Sequence, residues 1–159
     1  MEHMEQLDEF NVQIVIDCTS SMQSTIEACS QALVTATTIL SQLGRVKIGL
    51  TTYVDYCDTP HPVRKRSEPT SDVEKLQEKI RTNLKAHGGG DEPEAVKTAL
   101  NDVLFNVKSK IDLVFLFTDA SPHTEWGMAT GRSNHYRKEI AHIESHYGSK
   151  GITDWFKLG

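Results

Sequence analysis

The chain has 159 residues, 38 % of them hydrophobic and 25 % charged, which suits one globular domain with a core of its own. A net charge of −5 argues against a nucleic-acid partner, because a phosphate backbone is held by clustered lysine and arginine and Arg64-Lys65-Arg66 is too small a cluster. No apolar run reaches the roughly 18–20 residues of a membrane-spanning helix, and the acidic start MEHMEQLDEF is unlike a secretory signal, so no membrane partner is expected.

Residues 1–9 read as a tail. Val12, Ile14 and Ile16 then alternate, with Val15 filling the other face, which predicts a largely buried strand. Met22, Ile26, Cys29, Leu33, Ala36, Leu40 and Leu43 recur in steps of three and four. They predict a long amphipathic helix that Gly44 stops. Val46, Ile48 and Leu50 alternate again, giving a second strand to about Tyr53. The Pro- and charge-rich stretch from Asp55 to Thr70 predicts a loop with at most a short edge strand near Val63. Ser71 and Glu74 have capping-box spacing for a helix carrying Val73, Leu76, Ile80 and Leu84. After the breaker Gly88-Gly89-Gly90 comes a helix with Val96, Ala99, Leu100, Val103 and Val107. Ile111 to Phe117 is nearly continuous hydrocarbon, as in a parallel strand covered on both faces. Tyr136, Ile140, Ile143 and Tyr147 mark one more helix, ended by Gly148, and Thr153 can open another. Strands separated by helices imply an α/β fold, three-layer and doubly wound, with a mainly parallel sheet.

In such a sheet, ligands bind beyond the carboxyl ends of the strands, where strand order reverses. Two predicted strands end there in acid: VIDCTSSM at Asp17 and LVFLFTDA at Asp119. Side chains at alternate positions of an extended segment point to one side, so Asp17, Thr19 and Ser21 can converge. Two carboxylates and two hydroxyls, with no His or Cys among them, suit a hard cation: Mg²⁺ first, with Ca²⁺ or Mn²⁺ as substitutes. Each segment also has a plainer reading. A strand-end Asp can be a polar rim residue, and Ser20 or Ser21 can cap the helix that follows.

VIDCTSSM resembles the metal-ion-dependent adhesion site (MIDAS) motif, D-x-S-x-S, of von Willebrand factor type A (vWA) domains. GGGDEPEAV resembles the second motif loop, where a Thr follows paired glycines, and LFTDASPH resembles the third. The three stand in family order, and the likeness runs from about Phe10 to the carboxyl end. It implies the Rossmann-like vWA fold, an ion held through water by Asp17 and Asp119, and direct ligation by the Thr19 and Ser21 hydroxyls. Asp91 falls where the family has its Thr. There it is either a carboxylate ligand or, with Pro93 and Glu94, the cap of the next helix. The resemblance further implies an ion that is not catalytic and takes its last ligand from an Asp or Glu of a protein partner. The segments Tyr53 to Asp58 and Ser121 to Trp126 would set specificity. The motif loops look most like intracellular members, some joined to alpha-kinase domains. Family sheets have six main strands and only four are legible here. Residues 10–159 are therefore expected to be a vWA-like domain lacking its last strands, with the Ile111–Phe117 strand at an apolar edge open to self-association.

Two rival functions follow from the same residues. One is a Mg²⁺-dependent phosphotransferase or hydrolase with Asp17 as nucleophile. It resembles haloacid dehalogenase enzymes, which want a second Asp where Thr19 stands, and the chain has no P-loop or G-x-S-x-G. No enzyme is therefore expected. The other rival is a metal-free scaffold in which Asp91 caps its helix. Cys18, Cys29 and Cys57 show no C-x-x-C spacing, which fits a reducing, cytoplasmic location. His61, His87 and His123 read as surface loop residues, and His142 and His146 as the solvent face of the last helix. Trp126 reads as a partner anchor and Trp155 as half-buried.

Overall fold

In the computed structural model, residues 9–42, 45–58, 62–90, 93–132 and 135–153 are described. The alternating pattern of Val12 to Ile16 becomes β1 (Phe10–Asp17), and the next such pattern becomes β2 (Val46–Tyr53). A short β3 (Arg64–Arg66) and β4 (Leu113–Phe117) complete one sheet in the order β3-β2-β1-β4. β1 pairs in parallel with β2 on one side and with β4 on the other, and only β3 runs antiparallel. Strand order therefore reverses at β1, which puts the switch point at the carboxyl ends of β1 and β4.

The period of two in β1 divides the molecule into layers. Val12, Ile14 and Ile16 point into a core shared with Met22 and Ile26, and with Leu76, Ile80 and Leu84. This layer is covered by α1 (Gln23–Ser41) and α2 (Val73–Asn83), which pack on each other. Val15 and Tyr53 point the other way, against Val96, Ala99 and Val103 of α3 (Val96–Asn106). α5 (Tyr136–Tyr147) lies beside α3 on that face and is preceded by a short α4 (Glu125–Ala129). The three-layer, mainly parallel arrangement expected from the sequence is what forms. None of the described helices is long and apolar enough to cross a membrane.

Several local expectations are corrected. The cap of α2 is Asp72, whose side chain accepts from the Lys75 N–H, and not Ser71. α3 starts at Val96 behind Ala95, so Glu94 precedes the helix and is not its third residue. The Glu94 N–H instead donates to the Ser121 carbonyl at 3.0 Å. Neither Ser20 nor Ser21 caps α1; both belong to a 3-10 turn, Ser20–Met22, that leads into it. Among the described residues β4 is the sheet edge, as the count of strands implied, so Leu113 to Phe117 stay 36–47 % exposed and are not covered on both faces. Gly44, the Thr153 helix beyond its first residue, His61 and Trp155 lie outside the described residues.

Candidate functional site

β1 delivers Asp17 into the rim with its side chain fully buried. The chain then turns, and Asp17 Oδ1 accepts both the Thr19 N–H (2.9 Å) and the Thr19 hydroxyl (2.7 Å). The Thr19 hydroxyl lies 3.3 Å from that of Ser21, and Ser21 Oγ donates to Asp119 Oδ1 at 3.1 Å. The β1–β4 register closes the ring. Ile16 stands opposite Phe117, so the next residues on each strand meet and the Thr118 hydroxyl donates to Asp17 Oδ2 at 3.1 Å. Asp17, Thr19, Ser21 and Asp119 thus form one continuous chain of oxygens. Asp91, the fifth expected residue, lies outside the described residues.

The glycine loop closes one side of this rim. His87 N–H donates to the Cys18 carbonyl (2.8 Å), and the Ser20 hydroxyl donates to the Gly88 carbonyl (2.6 Å). Gly89 donates its N–H to Asp58 Oδ1 at 2.8 Å. Gly88 has φ +79° and no room for a Cβ, which would meet the Asp58 carboxyl carbon at 2.1 Å. Only glycine lets the backbone pass this close, with this handedness.

Electrostatics single out Asp17. Burial pushes its carboxyl above the usual carboxylate range, its hydrogen bonds pull the other way, and the Asp119 charge adds to the rise. Among the described residues no lysine or arginine contacts either acid. A buried carboxylate facing a second carboxylate, with hydroxyls between them, is a donor set that fits a hard divalent cation.

A second cluster lies nearby, and the sequence reading missed it. Asp55 follows β2 by two residues, His123 immediately precedes the α4 N-cap Thr124, and His135 is the N-cap residue of α5. Asp55 Oδ1 is 2.7 Å from His123 Nε2, and Asp55 Oδ2 is 2.8 Å from His135 Nδ1. Burial pushes the Asp55 carboxyl up, but hydrogen bonding and the charges of the two imidazoles outweigh it and hold it below its usual range. His123 is therefore a buried residue and not the surface histidine expected. Tyr53 to Asp58 are likewise largely buried, which removes most of that segment from any binding surface. The one available signal was that β2, like β1, runs into an acid at its carboxyl end. His142 is half-buried and stacked on the exposed His146 at 3.9 Å, a correction to the solvent face expected for both.

Residues 11–141 match the sequence profile of the von Willebrand factor A domain, and the chain belongs to that family of adhesion and protein-interaction modules. Over 146 residues it is 35 % identical to an Acanthamoeba polyphaga mimivirus protein named as ariadne-like RING finger; the match covers 91 % of this chain and 14 % of the viral protein. Two crystal structures of the pilus adhesin SpaC of Lactobacillus rhamnosus GG share the fold. They have TM-scores of 0.57 and 0.55 and 14 % identity, and cover 74 % of this chain and 15–16 % of the adhesin. The chain thus spans about one seventh of the relatives it matches.

Proposed function

We propose that this A domain is a Mg²⁺-dependent protein-binding module whose rim, Asp17, Thr19, Ser21 and Asp119, captures an acidic residue of a partner protein. The observation that carries this reading is the unbroken oxygen chain from buried Asp17 to exposed Asp119. A bound Mg²⁺ (or Ca²⁺ or Mn²⁺) supplies a coordination position for the partner's Asp or Glu, and so lets a net-acidic domain bind an acid. The chain's own residues do the rest. Thr118 and the Thr19 backbone fix the orientation of Asp17, and Ser21 holds Asp119 at the open side. The glycine loop, tied to Ser20 and Asp58, lies along one flank, and Asp91, next in sequence, is proposed as a further ligand. Trp126, 66 % exposed on α4 with the Arg132 guanidinium 5.6 Å from its ring centre, is the proposed anchor for the partner's apolar surface.

The hydrolase reading has less support. Asp17 is fully buried with both oxygens accepting hydroxyls, an arrangement for holding a carboxylate still and not for exposing a nucleophile. The cytoplasmic, alpha-kinase-associated setting belongs to the same proposal, supported by the likeness of the motif loops and by three cysteines that show no C-x-x-C spacing. Three cysteines without paired spacing supply no RING zinc site, so what is shared with the viral protein is the A domain. Pull-downs in Mg²⁺ and in chelator, with wild type and Asp119→Ala, test the proposal. A partner retained only by wild type in Mg²⁺ supports it, and a partner retained equally in chelator leaves a metal-free scaffold.

A further inference from the structure

We infer that Asp55, His123 and His135 form a second metal site, of the class that takes Zn²⁺, independent of the oxygen-only rim. One ligand atom from each residue lies within 4.8 Å of the other two. Two imidazole nitrogens and one carboxylate oxygen are a borderline donor set that zinc takes readily, leaving a fourth position for water, whereas Mg²⁺ prefers oxygen alone. The Asp55 and His123 side chains are fully buried and that of His135 is 23 % exposed, so among the described residues the cluster meets solvent at His135.

The surroundings favour a cation. Among the described residues the ion-pair partners of Asp55 are these two imidazoles, and the nearby Lys138 ammonium bonds instead to the Tyr56 carbonyl. A buried carboxylate set between two imidazole nitrogens offers a divalent ion three ligands at once.

The site also has a structural use. Asp55 follows β2, whereas His123 and His135 flank α4 beyond β4. The Asp55 N–H donates to Asp58 Oδ2 at 2.9 Å, and Asp58 Oδ1 holds the Gly89 N–H beside Thr19. An ion here pins the loops after β2 and β4 together and, through Asp58, braces the glycine flank of the rim. The competing possibility is a network in which both imidazoles simply donate N–H bonds to Asp55.

Zinc titration of the chelator-stripped full chain separates the two. One equivalent is expected to bind and raise the melting temperature. Asp55→Asn and His135→Ala should lose that equivalent, while the Asp17→Asn/Asp119→Asn double variant keeps it. Co²⁺ in place of zinc should give the visible bands of a four-coordinate site, absent in His135→Ala. His135 is the main probe because its partial exposure lets circular dichroism confirm a folded variant even if replacing buried His123 prevents folding. The inference is overturned if wild type takes up no zinc, if His135→Ala and Asp55→Asn bind it unchanged, or if His146→Ala removes the equivalent, which would trace it to the stacked surface pair.

Discussion

Thr118→Val tests whether Asp17 must be held as well as present. The two side chains have nearly the same shape and Thr118 is exposed, so no cavity or clash is introduced. What disappears is the hydroxyl that donates to Asp17 Oδ2 at 3.1 Å and also accepts the Ala120 N–H at 3.2 Å. A hydrogen bond to a charged acceptor contributes about 1.5–3 kcal/mol. At about 1.4 kcal/mol per tenfold, its loss should weaken Mg²⁺ binding by roughly 10- to 100-fold, the range seen when residues that orient metal ligands are removed. Isothermal titration with Mg²⁺ reads the affinity, and a thermal melt of the metal-free protein checks that the fold is intact. Wild-type Mg²⁺ affinity in a folded Thr118→Val protein would refute the view that the β4 end positions the β1 carboxylate.

Asp102 on α3 accepts from Arg64 Nε (2.8 Å) and Arg66 Nη1 (2.9 Å), and Asn106 Nδ2 donates to it at 2.7 Å. Asp102→Ala should therefore cost about 2–3 kcal/mol in a denaturant titration, the arginines being partly exposed. Burial pushes the Asp102 carboxyl up, but the Asn106 and arginine bonds outweigh it and hold it below the ordinary value of 3.8. Its contribution is then complete above that value and is lost as pH falls through the lower native one, so Asp102→Ala should flatten the acid limb of a stability–pH curve. The exposed apolar edge predicts self-association of the wild-type chain. Phe115→Lys should shift sedimentation toward monomer, and a wild-type chain already monomeric at high concentration would count against it. Gly88→Ala should destabilise by about 1–3 kcal/mol and weaken Mg²⁺ binding, since an L-residue is strained there and its Cβ strikes Asp58.

The fold was legible wherever burial follows a regular period. Alternation at Val12, Ile14 and Ile16 predicted β1 and its core face, and the three-and-four spacing from Met22 to Leu40 predicted the inner face of α1. The rim was legible because its residues are close in sequence and sit at strand ends: Asp17, Thr19 and Ser21 within one turn, Asp119 just past β4. The Asp55 cluster was not. Its members come from irregular loops whose burial has no periodicity, and they meet only because β1 brings β2 and β4 to either side of itself. Caps misled for a related reason. Asp91 and Glu94 have capping spacing, but Glu94 is drawn into a bridge with Pro122, and the helix starts later. By residue type the oily stretch ending at Phe117 indicated a buried strand; its place at the edge was legible only from the four strands counted against the family's six.

The central claim is that Asp17 and Asp119 jointly hold one divalent ion, and Mg²⁺ titration calorimetry of wild type beside Asp17→Asn and Asp119→Asn tests it most directly. One equivalent bound by wild type and lost in both variants, with their folds intact by circular dichroism, is the predicted result. No Mg²⁺ heat from wild type, or the same heat from all three proteins, would contradict it.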